Sequence, residues 1–186
     1  INLDGWSFPA EHVAESPLTT YSMDADTNIP TLGLLHGELG SVESPYAPIT
    51  LAELVATEVD GWLLGHIHAP AVHRERDPFV LYPGSPQPLD PGETGTHGPW
   101  LLRVNERGNV RAEQCPLATL RYDAFQVDTE DVEDVKDIPR LVSNTVRQHL
   151  DTGVPTQHLA LLLARIELTG RCRVHSEIRR ERDALV

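Results

Sequence analysis

Short uninterrupted apolar runs dominate the first two thirds of this chain, and a sustained helical period occurs only near its end. Residues 31–35 (Thr-Leu-Gly-Leu-Leu) and 61–64 (Gly-Trp-Leu-Leu) are too brief for buried helices. Pro30, Gly37 and Gly65 bound them, so they read as buried strands. Between them, Thr50-Leu51-Ala52-Glu53 has the pattern of a capping box, in which a hydroxyl and a carboxylate satisfy the free amides of a helix start. The helix it opens is expected to reach Glu58 with Leu51, Leu54 and Val55 on one face. Strand, helix, strand is a βαβ unit, which predicts two parallel strands in one sheet. A further strand is expected over residues 1–3, and residues 37–49, rich in Gly and Pro, read as loop.

Downstream, residues 79–82 read as a strand closed by Pro83-Gly84-Ser85-Pro86. Residues 99–104 and 110–115 flank Asn105-Glu106-Arg107-Gly108-Asn109 and predict a β-hairpin. A boundary is placed at residue 118, giving segments 1–118 and 119–186. In the second, residues 122–127 form a strand, and Val132, Val135, Ile138, Leu141, Val142, Val146 and Leu150 keep a helical period. The main helix should start at Asp137, ahead of Pro139, and stop at Gly153 and Pro155. A long strand over residues 158–168 follows, then an arginine-rich, partly helical tail.

Charge narrows the partners. The 186 residues carry a formal charge of −13, and Lys136 is the sole lysine. Such a charge argues against binding nucleic acid with the whole surface, because phosphate affinity comes mainly from Lys and Arg. A polyanionic substrate would need a local attractor, and a pair of divalent metal ions is one. No apolar run approaches the roughly 20 residues of a membrane-spanning helix, and no membrane partner is expected. Cys115 and Cys172 form no CxxC pair, which points to a cytoplasmic protein. The chain opens on Ile1 and is expected to be part of something longer.

The candidate chemistry lies in three of the nine histidines. His66 and His68 stand two apart directly after the run 61–64, and His36 ends the run 31–35. If the two strands are parallel neighbours, all three emerge at their carboxyl ends, the edge where open α/β sheets gather ligands. Gly65 removes side-chain bulk where the backbone must turn next to a ligand. Imidazoles suit manganese, iron or zinc, so the donors do not choose the metal.

The order Leu34-Leu35-His36-Gly37-Glu38, Asp60 to His68, Leu81-Tyr82-Pro83-Gly84-Ser85-Pro86-Gln87 and Glu93-Thr94-Gly95-Thr96-His97-Gly98 resembles the second half of the SbcD-type DNA repair exonucleases. These belong to the calcineurin-like metallophosphoesterases. Residues 119–170, ending Arg165-Ile166-Glu167-Leu168-Thr169-Gly170, are similar to the start of that family's DNA-capping domain. The resemblance implies an α/β fold: part of a four-layered α/β/β/α metallophosphoesterase sandwich, then a small α+β capping domain. It implies two divalent metal ions, usually manganese, with His36 and His66 on one and His68 on the other. It also implies DNA as substrate and an SMC-like ATPase subunit as partner. The family's Asp-x-His, Gly-Asp-x-x-Asp and Gly-Asn-His motifs do not occur here. The bridging carboxylate and the general-acid histidine are therefore missing, no residue of this chain is assigned as catalytic, and the isolated chain is expected to be inactive.

Other residues have plainer readings beside the functional one. Ser85 is a turn residue or a phosphate contact, and His97 is a solvated loop histidine or a phosphate contact. Glu38 follows the candidate ligand His36 and is a candidate to orient it. Arg171, Arg173, Arg179, Arg180 and Arg182 alternate with Glu177, Glu181 and Asp183 and read as a solvated helix face before a DNA-facing patch. Two alternatives stand beside the nuclease: another calcineurin-like phosphoesterase acting on a small phosphodiester or a phosphoprotein, and a non-catalytic folding or interaction module. Half a sandwich would leave apolar sheet surface uncovered and favour a homodimer.

Overall fold

The computed structural model describes residues 1–22, 29–41, 43–152 and 155–181. The chain is mixed α/β and divides into two compact units, residues 1–89 with 97–117, and residues 90–96 with 118–186. Residues 90–96 join the second unit because Thr94 bridges to Tyr122 and the Gly95 amide donates to the Tyr122 carbonyl at 3.0 Å.

The first unit holds β1 (Asn2–Trp6), β2 (Thr31–His36), β3 (Glu38–Leu39), β4 (Pro48–Ile49), α1 (Leu51–Val55), β5 (Gly61–Gly65), β6 (Ala71–Arg74), β7 (Phe79–Tyr82), β8 (Trp100–Val104) and β9 (Val110–Gln114). Five strands form one sheet in the order β1-β2-β5-β7-β6. The pairs β1/β2, β2/β5 and β5/β7 are parallel, as the βαβ reading requires for β2 and β5. β6 adds antiparallel at the edge of β7, with an irregularity between Val72 and Arg74. Its sequence, Ala-Val-His-Arg, has no strand pattern of its own, and pairing with β7 creates it.

Leu35, Ile49, Leu54, Trp62, Leu64, Val80 and Tyr82 make the core on one side of this sheet. On the other side Leu32, Phe79 and Leu81 are buried, with Val110 of the β8–β9 hairpin against Gly61, while Leu3 is 65% and Leu34 39% exposed. The capping box forms as read: the Glu53 amide donates to Thr50 Oγ1 at 3.2 Å and the Thr50 amide to Glu53 Oε2 at 2.7 Å. Burial pushes the Glu53 carboxyl up, but hydrogen bonds from Thr50 and Ser16 outweigh it and hold the group below its usual range. The helix is shorter than expected. Thr57 Oγ1 donates to the Leu54 carbonyl at 2.7 Å and accepts Trp62 Nε1 at 3.1 Å, which ends it, and of its apolar face only Leu54 is buried. Residues 37–49, read as loop, include the parallel two-residue strands β3 and β4.

The second unit is another βαβ arrangement. β10 (Leu120–Asp128) and β11 (Leu161–Thr169) pair in parallel, joined through α2 (Ile138–Asp151), and α3 (His175–Glu181) follows. Asp134 caps a 3-10 turn over Val135–Asp137 that runs into α2, with Pro139 in its first turn. Val132, Val135, Ile138 and Val174 form its core, extended by Leu141, Val142 and Leu168. Arg171, Arg173, Arg179 and Arg180 are exposed, in keeping with a solvated face. Gly153, Arg182 and Asp183 lie outside the described residues, and of Glu181 only the backbone is described. No helix among the described residues is long and apolar enough to cross a membrane.

Candidate functional site

The histidines sit where the strands end. In the β2/β5 ladder His36 stands opposite Gly65, and the Gly37 amide continues the ladder to the Gly65 carbonyl at 3.3 Å. The absent side chain at Gly65 has a visible use: a Cβ there would lie 2.8 Å from His36 Nδ1. His36 therefore folds over the glycine, and its ring meets that of His66, centroid to centroid 5.5 Å, at 68°. His66 itself has φ +103°, a left-handed backbone conformation that non-glycine residues adopt rarely and at a cost. That strain turns the chain so that His66 faces His36.

Aromatic rings continue on both sides of the pair. Phe8 packs edge-on to His36 at 5.1 Å, and Tyr46 lies 5.2 Å from His66. Burial, and then the neighbouring His66, push the His36 pKa below its ordinary value. An NMR titration of the His36 ring is thus expected to have its midpoint below about 6.5. As pH falls through that range the unfolded chain takes up the proton first, so this group's contribution is complete above about 6.5 and is lost below it. A midpoint at or above the ordinary value would contradict the geometry. The consequence for chemistry is a neutral imidazole, the form that binds metal.

Tyr82, which sequence reasoning quoted in a motif but gave no role, anchors the backbone behind His36. Its buried hydroxyl donates to the Gly37 carbonyl at 2.6 Å and accepts the Leu39 amide at 2.9 Å. Burial raises its pKa, the Leu39 hydrogen bond opposes this, and the Glu38 charge adds to it. Glu38 itself bonds through its amide to the Tyr46 and Ala47 carbonyls, and no hydrogen bond joins its carboxylate to His36 among the described contacts. Nothing in the sequence marks these cross-links, because they depend on strand register.

Ser85 and His97 meet behind His68. The Ser85 amide donates to the His68 carbonyl at 2.9 Å, and its hydroxyl reaches the same carbonyl at 3.4 Å. His97 Nδ1 lies 2.8 Å from the Ser85 carbonyl and 3.2 Å from its hydroxyl. The short contact to a carbonyl requires the proton on Nδ1, and Nε2 is buried without a hydrogen-bond partner. His97 is 1% exposed, which corrects its reading as a solvated loop histidine. Ser85 is a buried turn residue that ties the His68 backbone to His97.

His36 and His66 thus come together, while the described residues contain no group of three or more His, Cys, Asp or Glu side chains that could hold a metal ion. His68 does not complete a three-donor set with the other two. The residues present fit two nitrogen donors of a metal site and do not build a two-metal centre by themselves.

A family model described as "Metallophosphoesterase YhaO, middle domain" matches residues 122–186. A curated relative, the "Uncharacterized metallophosphoesterase YhaO" of Bacillus subtilis (strain 168), is 30% identical over 153 residues, 81% of this chain and 37% of that protein. The chain spans little more than a third of the length of the relative it matches. Both matches are to proteins described as metallophosphoesterases.

Proposed function

We propose that this chain is part of a metal-dependent phosphodiesterase that cuts DNA, an SbcD-like exonuclease and endonuclease. The observation that carries the reading is the His36–His66 pair at the carboxyl edge of a parallel sheet, with a strained backbone at His66. Metallophosphoesterases generally use divalent metal ions, which neutralise phosphate charge and lower the pKa of bound water. In the proposal His36 and His66 serve one ion and His68 the other, manganese being the expected metal. Donors from outside this sequence complete the centre. Ser85 and His97 hold the backbone of His68, and Gly65 gives His36 its space. Residues 1–118 belong to an α/β/β/α sandwich and residues 119–186 to a DNA-capping domain. An SMC-like ATPase subunit is the expected partner, in the cytoplasm.

The test is an assay of the complete protein that contains this sequence, with manganese, on linear duplex DNA and on a generic phosphodiester. Cleavage of both is expected. Ester hydrolysis without nuclease activity would overturn the DNA reading and favour a small phosphodiester or a phosphoprotein.

A further inference from the structure

A second site for phosphate is suggested far from the histidines, at the amino-terminal edge of the same sheet. The β6–β7 turn and the β8–β9 hairpin enclose an open cleft of about 680 Å³, within the roughly 300–1,000 Å³ range of small-molecule sites. Arg76, Arg103 and Arg111 line it, with Glu75 as the lining carboxylate. Arg103 and Arg111 stand directly opposite each other in the antiparallel ladder. Like charges at such a pair are destabilising unless something neutralises them.

The chain offers little that does. Glu113 lies 3.3 Å from Arg103, but both side chains are about two-thirds exposed, so water and salt weaken the pair. Arg76 and Arg111 have no ion-pair or hydrogen-bond partner among the described residues. Three arginines against one lining carboxylate is an unusual local balance in a chain of net charge −13. A concave positive spot on an acidic surface concentrates anions locally.

The scaffold presenting these side chains is fixed. Asn105 Oδ1 accepts the amides of Arg107 and Asn109 at 2.9 and 3.0 Å, locking the hairpin turn. Arg74 Nε donates to the Asp77 carbonyl at 3.1 Å and holds the turn that carries Arg76. Val104 and Val110, the next pair in the ladder, point to the opposite face of the hairpin, Val110 toward Gly61 of β5, and anchor the strands that carry the arginines. Planar guanidinium groups on opposed strand positions match an anion with several oxygens.

We propose that this cleft binds a phosphate ester through its phosphate, held between Arg103 and Arg111 with Arg76 on the same cleft. The proposal is independent of the hydrolytic reading of the histidines. A free nucleotide and the phosphorylated end of a nucleic-acid strand share this chemistry.

Amide and arginine side-chain NMR spectra of the 186-residue chain at low salt provide the test, with adenosine monophosphate, adenosine, and a short oligonucleotide with and without a 5′ phosphate as probes. Saturable shifts at Arg103, Val104 and Arg111 are expected with the monophosphate and not with adenosine. Arg111→Gln should weaken binding about tenfold, and Arg107→Gln, at the hairpin tip, should leave it within about twofold. Both changes are on exposed residues, and the spectra themselves report whether the fold is kept. Preference for the phosphorylated oligonucleotide assigns the site to strand ends, and binding of the monophosphate alone assigns it to free nucleotides. Equal shifts with adenosine, no saturable shift, or equal losses in both variants would overturn the proposal.

Discussion

Replacing Trp62 with alanine is expected to destabilise the first unit by about 3–5 kcal/mol, the cost typical of removing a buried tryptophan. Trp62 is 1% exposed and belongs to the core cluster with Leu35, Ile49, Leu54 and Val80. Its ring lies over Gly33 so closely that a Cβ there would approach ring carbons to 2.4 Å. The strand β2 therefore carries a glycine at this point to admit the indole from β5, and no neighbouring side chain can swing in to fill the cavity from that side. A conservative change separates packing from hydrogen bonding. Trp62→Phe keeps most of the buried area and loses the Nε1–H donation to Thr57, so it should cost much less, about 1–2 kcal/mol. Hydrogen exchange at the amides of β2 and β5 measures both, and does so without assuming that the two units unfold together. Equal protection in wild-type and Trp62→Ala chains would show that the indole does not hold this sheet. Because β5 leads straight into Gly65 and His66, the same loss should broaden the His36 and His66 ring signals.

The histidine pair shows where sequence reading reaches and where it stops. Apolar runs bounded by Gly and Pro identified β2, β5 and β7, and the intervening capping box made β2 and β5 parallel. That sufficed to put His36 and His66 at one edge. Their contact depended on register, His36 against Gly65, and on a positive φ at a non-glycine residue. Neither has a composition signal. The burial of His97 was hidden for a related reason: its loop carries Gly and Thr like any exposed loop, and only the Ser85 turn folded against it removes it from water. β6 was invisible because a strand of four mixed residues is defined by its neighbour and not by its own pattern. In the second unit the long helical period of α2 was legible, while the polar pair inside β10 was not. The strand expected over residues 122–127 left Arg121 out, and β10 turns both Arg121 and Asp123 inward.

That pair sets the other large expectation. Asp123→Ala should destabilise the second unit by about 3–5 kcal/mol, because it strands a buried guanidinium. Arg121 is 3% and Asp123 8% exposed. Arg121 Nε donates to Asp123 Oδ2 at 2.8 Å, and Nη2 lies 2.7 Å from the same oxygen. Nη1 and Nη2 are both buried without a hydrogen-bond acceptor, Nη2 meeting Asp123 only as an ion pair, so Asp123 already carries the whole compensation for this charge. His149 on α2 approaches the same oxygen to 3.4 Å while its ring packs edge-on to Phe125, which ties helix and strand together at this point. Removing the carboxylate would leave Arg121 with no buried counter-charge and would detach His149 at once. Removing both charges should behave differently. The double variant Arg121→Met/Asp123→Leu takes out the desolvation cost along with the attraction, and buried pairs replaced by apolar side chains are often neutral or stabilising. Its stability should therefore return to within about 1 kcal/mol of the wild type or exceed it. Denaturant unfolding with hydrogen exchange at β10 and β11 distinguishes these outcomes. A double variant as unstable as Asp123→Ala would mean that the ion pair itself, and not the avoidance of an unpaired charge, holds α2 against the strands.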